Sequence, residues 1–244
     1  MFSIFKKSNI TTADLQYPIS ADLHSHILPG IDDGSPDVET SVALVRGLKE
    51  LGIHRSCATP HIIGDMFRNN RETITGAQSL LQDALDNEGI EFDLSVAAEY
   101  MLDSYFLSLL DDKRNILTVQ DNLILTEFSY AAMPSNPGEM SFAIITEGFS
   151  PILAHPERYA YYYNDYNYYH HLHDLGFMFQ VNLLSVTGYY GKEAAKAAHY
   201  LIKNNLISYA GTDMHHEKHL AALSDAKNQR IFAEVFEGVE LLNG

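Results

Sequence analysis

The chain has a single cysteine, Cys57, and no tryptophan. One thiol excludes an internal disulfide framework. Basic residues are also scarce. Sixteen Lys and Arg stand against 32 Asp and Glu, for a formal net charge of −16. Such a surface repels phosphodiester backbones and anionic headgroups, which argues against a dedicated nucleic-acid binder or a membrane-surface protein. No apolar run approaches the length of a membrane span. The opening MFSIFKKSNI lacks the apolar core of a signal peptide. A cytoplasmic protein with no stable membrane insertion is expected. No apolar run is followed by a Gly-rich dinucleotide-binding or P-loop signature, which counts against a nucleotide-binding doubly wound sheet.

What is present is globular. Apolar residues make up 46% and charged residues 20% of 244 positions, enough apolar matter for one large core. The expectation is a single domain over 1–244, with 1–17 as an N-terminal extension that packs as a cap or frays. Short apolar runs alternate with helical patterns. The first run ends at Leu23. Ser35-Pro36 then reads as an N-cap with proline at the first helical position, followed by Val38, Val42, Val45 and Leu48 at helical spacing and by Gly52. Further strands are expected at 53–59, 94–98, 123–128, 151–154, 177–181 and 206–210, with helices over 72–87 and 191–204. This cadence predicts an α/β fold with a buried parallel sheet. Seven units predict a distorted (β/α)7 TIM-like barrel, one unit short of the usual eight. An open doubly wound sheet is the alternative.

Barrels carry their chemistry at the C-terminal strand ends, and the histidines fall there. The first strand runs into Asp22-Leu23-His24-Ser25-His26, the second into Thr59-Pro60-His61, and the third into Glu99. The fourth ends at Glu127, the fifth at Ala154-His155-Pro156, and the seventh at Asp213-Met214-His215. The His-x-His and Asp-x-His pairs follow the strand period of two, so both members of each pair face one way. Singly, such residues are usually structural. Together, buried carboxylates crowded on one rim with few cations nearby require positive charge. Divalent metal supplies it, and imidazole with carboxylate is a usual ligand set for Zn, Mn or Fe.

At these residues the chain resembles the polymerase-and-histidinol-phosphatase (PHP) superfamily. Within it, the chain resembles the bacterial manganese-dependent protein-tyrosine phosphatases of capsular and exopolysaccharide synthesis. The strings that carry the resemblance are DLHSHILPGIDDG at 22–34, TPH at 59–61, LTEFS at 125–129, AHPERY at 154–159 and QVN at 180–182. The resemblance implies a PHP barrel holding three divalent metals, manganese foremost, with Fe, Zn or Mg possible at such ligands. His24, His26, Glu99 and Asp213 would hold the first. Glu99, bridging, with Glu127 and His155 would hold the second. Asp33, His61 and His215 would hold the third, with Asp32 the alternative to its neighbour Asp33. Two departures stand out: Ile62 follows TPH where that branch often has a second histidine, and no arginine follows Asp213-x-His215. Lys218 or His219 is the candidate replacement for phosphate binding.

The implied reaction is hydrolysis of phosphotyrosine by a metal-bridged hydroxide, with Arg158, Glu99 and His155 as candidate catalytic residues. Arg158 would grip a phosphoryl oxygen through its planar fork; a salt bridge to a neighbouring carboxylate is its structural alternative. Cysteine-based phosphatase chemistry needs Cys-x5-Arg, and six positions after Cys57 stands Ile63, so that route is excluded. The implied partner is the tyrosine-rich tail of a bacterial tyrosine kinase that controls polysaccharide export. The sequence leaves the oligomeric state open. A small-molecule phosphomonoesterase, such as a histidinol-phosphate phosphatase, and a non-catalytic PHP-like binding module are the competing readings. His170 and His173 read as a solvated helix face, and Arg68 and Arg71 as surface charge. The tyrosines between 159 and 169 read equally as site rim or loop packing.

Overall fold

The computed structural model describes residues 17–244; the extension expected at 1–17 otherwise lies outside the described residues. The strands are β1 (Ala21–Ser25), β2 (Arg55–Ala58), β3 (His61–Ile63), β4 (Phe67–Arg68), β5 (Asp93–Val96), β6 (Glu99–Met101), β7 (Leu123–Glu127), β8 (Ser150–Ala154), β9 (Met178–Asn182) and β10 (Ile207–Gly211). The helices are α1 (Val38–Glu50), α2 (Arg71–Asn87), α3 (Ser104–Leu110), α4 (Pro137–Thr146), α5 (Asn167–Asp174), α6 (Lys192–Lys203), α7 (Glu217–Ser224) and α8 (Ala226–Val235). The expected alternation holds, with a helix or helical turn after each principal strand.

Two expected strands are interrupted. The strand expected over 53–59 is β2, and after a break at Thr59-Pro60, where proline cannot donate to a ladder, β3 continues beyond it. Likewise the strand expected over 94–98 is β5, followed after Ala97-Ala98 by β6. The ladders therefore fall into two sheets, β1-β2-β5 and β10-β9-β8-β7-β6-β3-β4. All pairings are parallel except the short β3–β4 hairpin. The last strand returns to the first just beyond their ends. Asp213 N donates to His24 O and His26 N donates to Met214 O, each at 2.8 Å. Counting the split strands once, seven strand positions follow one another around a distorted barrel.

Helix α1 starts two residues later than the Ser35-Pro36 signal suggests. Its N-cap is Asp37, whose carboxylate accepts from Thr40 N at 2.8 Å. A charged acceptor at that position also suits the helix dipole. Ser35 instead accepts from the Ser41 hydroxyl. Val42, Val45 and Leu48 are buried as their spacing implies, each side chain contributing about 1.5–3 kcal/mol by burial. Gly52, at φ +85°, ends the helix. Helix α2 is closed at its N-terminus by reciprocal hydrogen bonds between Asn70 and Thr73.

One close approach fixes a loop at the site. Gly34 packs so tightly on His26 that a Cβ there would sit 2.1 Å from the His26 carbonyl oxygen. No other residue fits. Ser35 N donates to that same carbonyl, and Gly34 N donates to Asp32 Oδ1 at 3.0 Å. The loop carrying Asp32 and Asp33 is thereby tied back under the β1 terminus.

Candidate metal centre

Every expected ligand except Asp33, which sits on the loop after β1, is delivered to the rim by a strand end. His24 is in β1 and His26 follows it. His61 opens β3, Glu99 opens β6, and Glu127 closes β7. His155 follows β8, and Asp213 and His215 follow β10. The parallel register sets His61 directly beside Glu99. His155 and Asp213 take left-handed backbone conformations, φ 36° and 51°. Such geometry is costly for residues with a Cβ and is held only where surrounding structure imposes it.

The nine side chains converge on one mouth. Four overlapping groups have nitrogen and oxygen atoms within 4.8 Å of one another: His26, Asp33, His61 and His215; His24, His26 and Asp213; His24, Glu99 and His155; and His61, Glu99 and Glu127. The sets differ in part from the sequence assignment. His26 also joins the Asp33 group, and His61 also joins Glu99 and Glu127. The Asp32/Asp33 ambiguity is resolved in space. Asp32 Oδ2 accepts from His26 Nδ1 at 2.8 Å and from His61 N at 3.1 Å, behind the imidazoles. Asp33 Oδ1 lies in front, 3.4 Å from His61 Nε2 and 3.7 Å from His215 Nε2.

The centre of the cluster is Glu99. Its Oε2 lies 3.4 Å from His24 Nε2, 3.3 Å from His26 Nε2 and 3.1 Å from His61 Nδ1. That oxygen nevertheless makes no hydrogen bond, nor do His61 Nδ1 and Glu127 Oε1 beside it, whereas Glu99 Oε1 pairs with His155 Nε2 at 2.9 Å. Buried polar atoms without partners are rare. Atoms that crowd together without aligning on one another are arranged around a point between them, as ligand atoms around a cation are. Charge says the same. Burial and then the neighbouring Glu99 carboxylate push Glu127 up to about 7. His61 resists the burial that would neutralise it and is raised by Glu99 and Glu127. His24 and His26 are raised as well, whereas burial lowers His155 and His215.

Outer contacts orient the ring nitrogens. Asp213 Oδ2 accepts from Asn182 Nδ2 at 2.7 Å and from Arg158 Nη1 at 2.8 Å. Asn182 Oδ1 accepts from Gln180 Nε2 at 2.9 Å, and Gln180 Oε1 lies 2.7 Å from His24 Nδ1. Gln180 and Asn182 belong to the QVN string, to which no role attaches above; their common face on β9 is the signal that points to one. Tyr159 props the rim from behind, donating to Ala154 O and accepting from Phe128 N.

A cavity of about 280 Å³ opens over the cluster, lined by Asp33, His61, Glu99, Tyr130, His155, Arg158, Tyr190, Asp213, His215, His216 and His219. Its tyrosines, Tyr130 and Tyr190, are not those of the 159–169 run, where Tyr159, Tyr162 and Tyr169 pack inward. Lys218 is exposed and outside the lining, whereas His219 lines it and accepts from His215 N at 3.2 Å. Arg68 bonds Gly64 O, and Arg71 bonds the carbonyls of Arg114 and Ile116, so neither reaches the cavity. His170 and His173 are exposed on α5, with His170 against Tyr200. Cys57 is buried in β2, its thiol pushed up to about 12 by burial.

Comparison with known proteins agrees with this arrangement. The family described as "Capsular polysaccharide synthesis, CpsB/CapC" matches residues 20–229. The tyrosine-protein phosphatase YwqE of Bacillus subtilis is 29% identical over 198 residues, covering 81% of this chain and 78% of that protein. The tyrosine-protein phosphatase CpsB of Streptococcus pneumoniae is 30% identical over 203 residues, covering 80% and 82%. A solved structure from work on YwqE and CpsB, described as unique metal-dependent tyrosine phosphatases, superposes with TM-score 0.79 at 26% identity, covering 90% of this chain and 87% of that one. An organophosphorus hydrolase from Deinococcus radiodurans shares the fold alone, with TM-score 0.53 at 13% identity. With its sequence match spanning every strand of the barrel, this chain belongs to the CpsB/CapC capsular polysaccharide synthesis family.

Proposed function

We propose that this chain is a metal-dependent protein-tyrosine phosphatase whose substrate is a phosphotyrosyl protein, the tail of a bacterial tyrosine kinase that controls capsular or exopolysaccharide synthesis. The observation that carries the reading is Glu99 Oε2, buried among three imidazole nitrogens at 3.1–3.4 Å and bonded to none. The relatives named as tyrosine phosphatases support the substrate class. The donor set fits up to three divalent cations, with manganese the leading candidate and Fe, Zn or Mg compatible. His24, His26, Glu99 and Asp213 would hold one, Glu99, Glu127 and His155 a second, and Asp33, His61 and His215 a third. No helix among the described residues is long and apolar enough to cross a membrane, in keeping with action in the cytoplasm.

When bound, the cations supply a water-derived nucleophile near neutral pH and positive charge opposite the phosphoryl oxygens. The chain's own residues do the rest. Arg158, on the 3-10 turn just after His155, lies in the cavity wall; its Nη1 is taken by Asp213 Oδ2, the salt bridge named as its structural alternative, and its remaining N–H groups are left for a non-bridging oxygen. The tyrosyl leaving group, with parent pKa near 10, departs more readily than an alkoxide, so strong general-acid help is unnecessary. Asp33 is 57% exposed at the lip, so the mouth is open and accepts a side chain presented on a peptide. Cation charge at contact outweighs the surface charge of −16, which salt screens over about 8–10 Å.

The test is elemental analysis paired with turnover of a phosphotyrosyl peptide and of histidinol phosphate, before and after chelation and manganese add-back. Metal-dependent peptide turnover well above histidinol phosphate turnover is expected. The reverse preference would make the protein a small-molecule phosphatase. An empty site with no turnover of either would leave only a binding module.

A further inference from the structure

Arg158 is held by more than its ion pair. Its side chain is 25% exposed, and Nη1 donates to Asp213 Oδ2 at 2.8 Å. Among the described residues, that is the only hydrogen bond the guanidinium makes to protein. Its other N–H groups are left free in a residue that lines the cavity. One hydrogen bond does not fix the plane of a long side chain with several rotatable bonds. Aromatic faces do, because the ring quadrupole attracts the cation and contact sets its plane. Two rings serve here. The guanidinium carbon lies 4.3 Å from the Tyr190 ring centroid and 5.1 Å from that of Tyr130.

We infer that Tyr130 and Tyr190 are positioning residues that hold the Arg158 guanidinium at the cavity wall, so that its free N–H groups meet the phosphoryl oxygens of the substrate. The inference rests on the phosphatase reading above. The two rings come from different loops, after β7 and after β9, so only the folded barrel assembles them around the cation. Neither ring is a simple core residue. Tyr130 is 46% exposed, and the Tyr190 hydroxyl has no hydrogen-bond partner among the described residues. Tyr130 also reaches His155, its hydroxyl 3.2 Å from Nδ1, so its hydroxyl and its ring must be tested separately.

In manganese-loaded protein, Tyr190→Leu is expected to raise KM for a phosphotyrosyl peptide about tenfold and leave kcat within about twofold. Tyr190→Phe, which keeps the ring, stays near wild type. Tyr130→Leu raises KM several-fold relative to Tyr130→Phe, and this half-exposed position keeps the test open should Tyr190→Leu fail to fold. The dissociation constant of inorganic phosphate, by calorimetry, rises by the same factor as KM. In an Arg158→Ala background, Tyr190→Leu adds no further loss. An unchanged KM and phosphate affinity in both leucine variants would overturn the inference. So would an equal loss with and without Arg158, since the ring would then act on substrate or fold directly. If the wild type fails to turn over the peptide, the phosphatase reading falls, while the phosphate titration still reads the clamp.

Discussion

His24 presents Nε2, not Nδ1, to Glu99, and Gln180 decides it. The assignment follows by elimination along a chain of hydrogen bonds. Asp213 Oδ2 can only accept, so the Asn182 amide nitrogen donates to it. Asn182 Oδ1 then accepts from Gln180 Nε2, leaving Gln180 Oε1 to accept from His24 Nδ1–H. The ring is locked with its other nitrogen, Nε2, aimed at the cluster. Removing such an outer partner typically costs 10–100-fold in metal affinity. Gln180→Leu should therefore weaken manganese binding by about that factor, read by metal titration. Wild-type affinity in this variant would show that the contact does not orient His24.

Losing a central group of the cluster should be far more severe. Glu99→Gln or His155→Ala is expected to lower aryl phosphate hydrolysis by at least about a thousandfold, because in the proposed centre the first removes a ligand's negative charge and the second a ligand nitrogen. Activity near wild type in a sample with verified metal would remove the mechanism.

Cysteine plays no chemical part. Burial raises the Cys57 thiol to about 12, so almost no thiolate exists at neutral pH. Iodoacetamide should leave turnover intact, and Cys57→Ser should keep kcat within about twofold while lowering Tm modestly. A chelator should inhibit strongly where orthovanadate inhibits less. Inactivation by the alkylating reagent would contradict this.

The buried carboxyl of Glu157 predicts a pH effect on stability. Its Oε1 accepts from Asn182 N at 2.9 Å and Ser185 Oγ at 2.6 Å, while Oε2 has no partner. Burial raises it from 4.5 to about 7. The folded state therefore holds a proton that the unfolded chain releases. The stability this contributes is complete below pH 4.5 and is lost as pH rises through 7. Glu157→Gln keeps both acceptor contacts and removes the titration. Its Tm relative to wild type, in metal-free protein, should climb as pH rises from 4.5 to 7. A constant difference across that window would refute the assignment.

Gly34→Ala tests the loop. The added Cβ meets the His26 carbonyl oxygen at 2.1 Å, and the backbone there cannot yield without moving Asp32 and Asp33. Loss of more than about 2 kcal/mol of stability, together with weakened metal binding, is expected. A normal Tm and metal content would show the loop to be more compliant than its packing implies.

Much of this was legible in the chain itself, because periodicity and ligand chemistry are local. Alternating apolar runs and helices announced the barrel, and His-x-His and Asp-x-His at strand ends announced the centre. The helix start moved from Ser35 to Asp37, since either residue can cap and only packing chooses. The breaks at Pro60 and Ala97-Ala98 fell inside runs whose apolar character is continuous. Tyr130 and Tyr190 lie in loops with no pattern of their own, and nothing in the order of residues brings them to Arg158. Asp32 and Asp33 were equivalent as letters and became different only when the turn at Gly34 put one behind the imidazoles and one before them. The sequence by itself determined which candidate ligand residues sit at the strand ends, because spacing and residue type follow from the strand repeat. Only the tertiary structure decided which atom of each faces inward, because that depends on contacts between strands far apart in the chain.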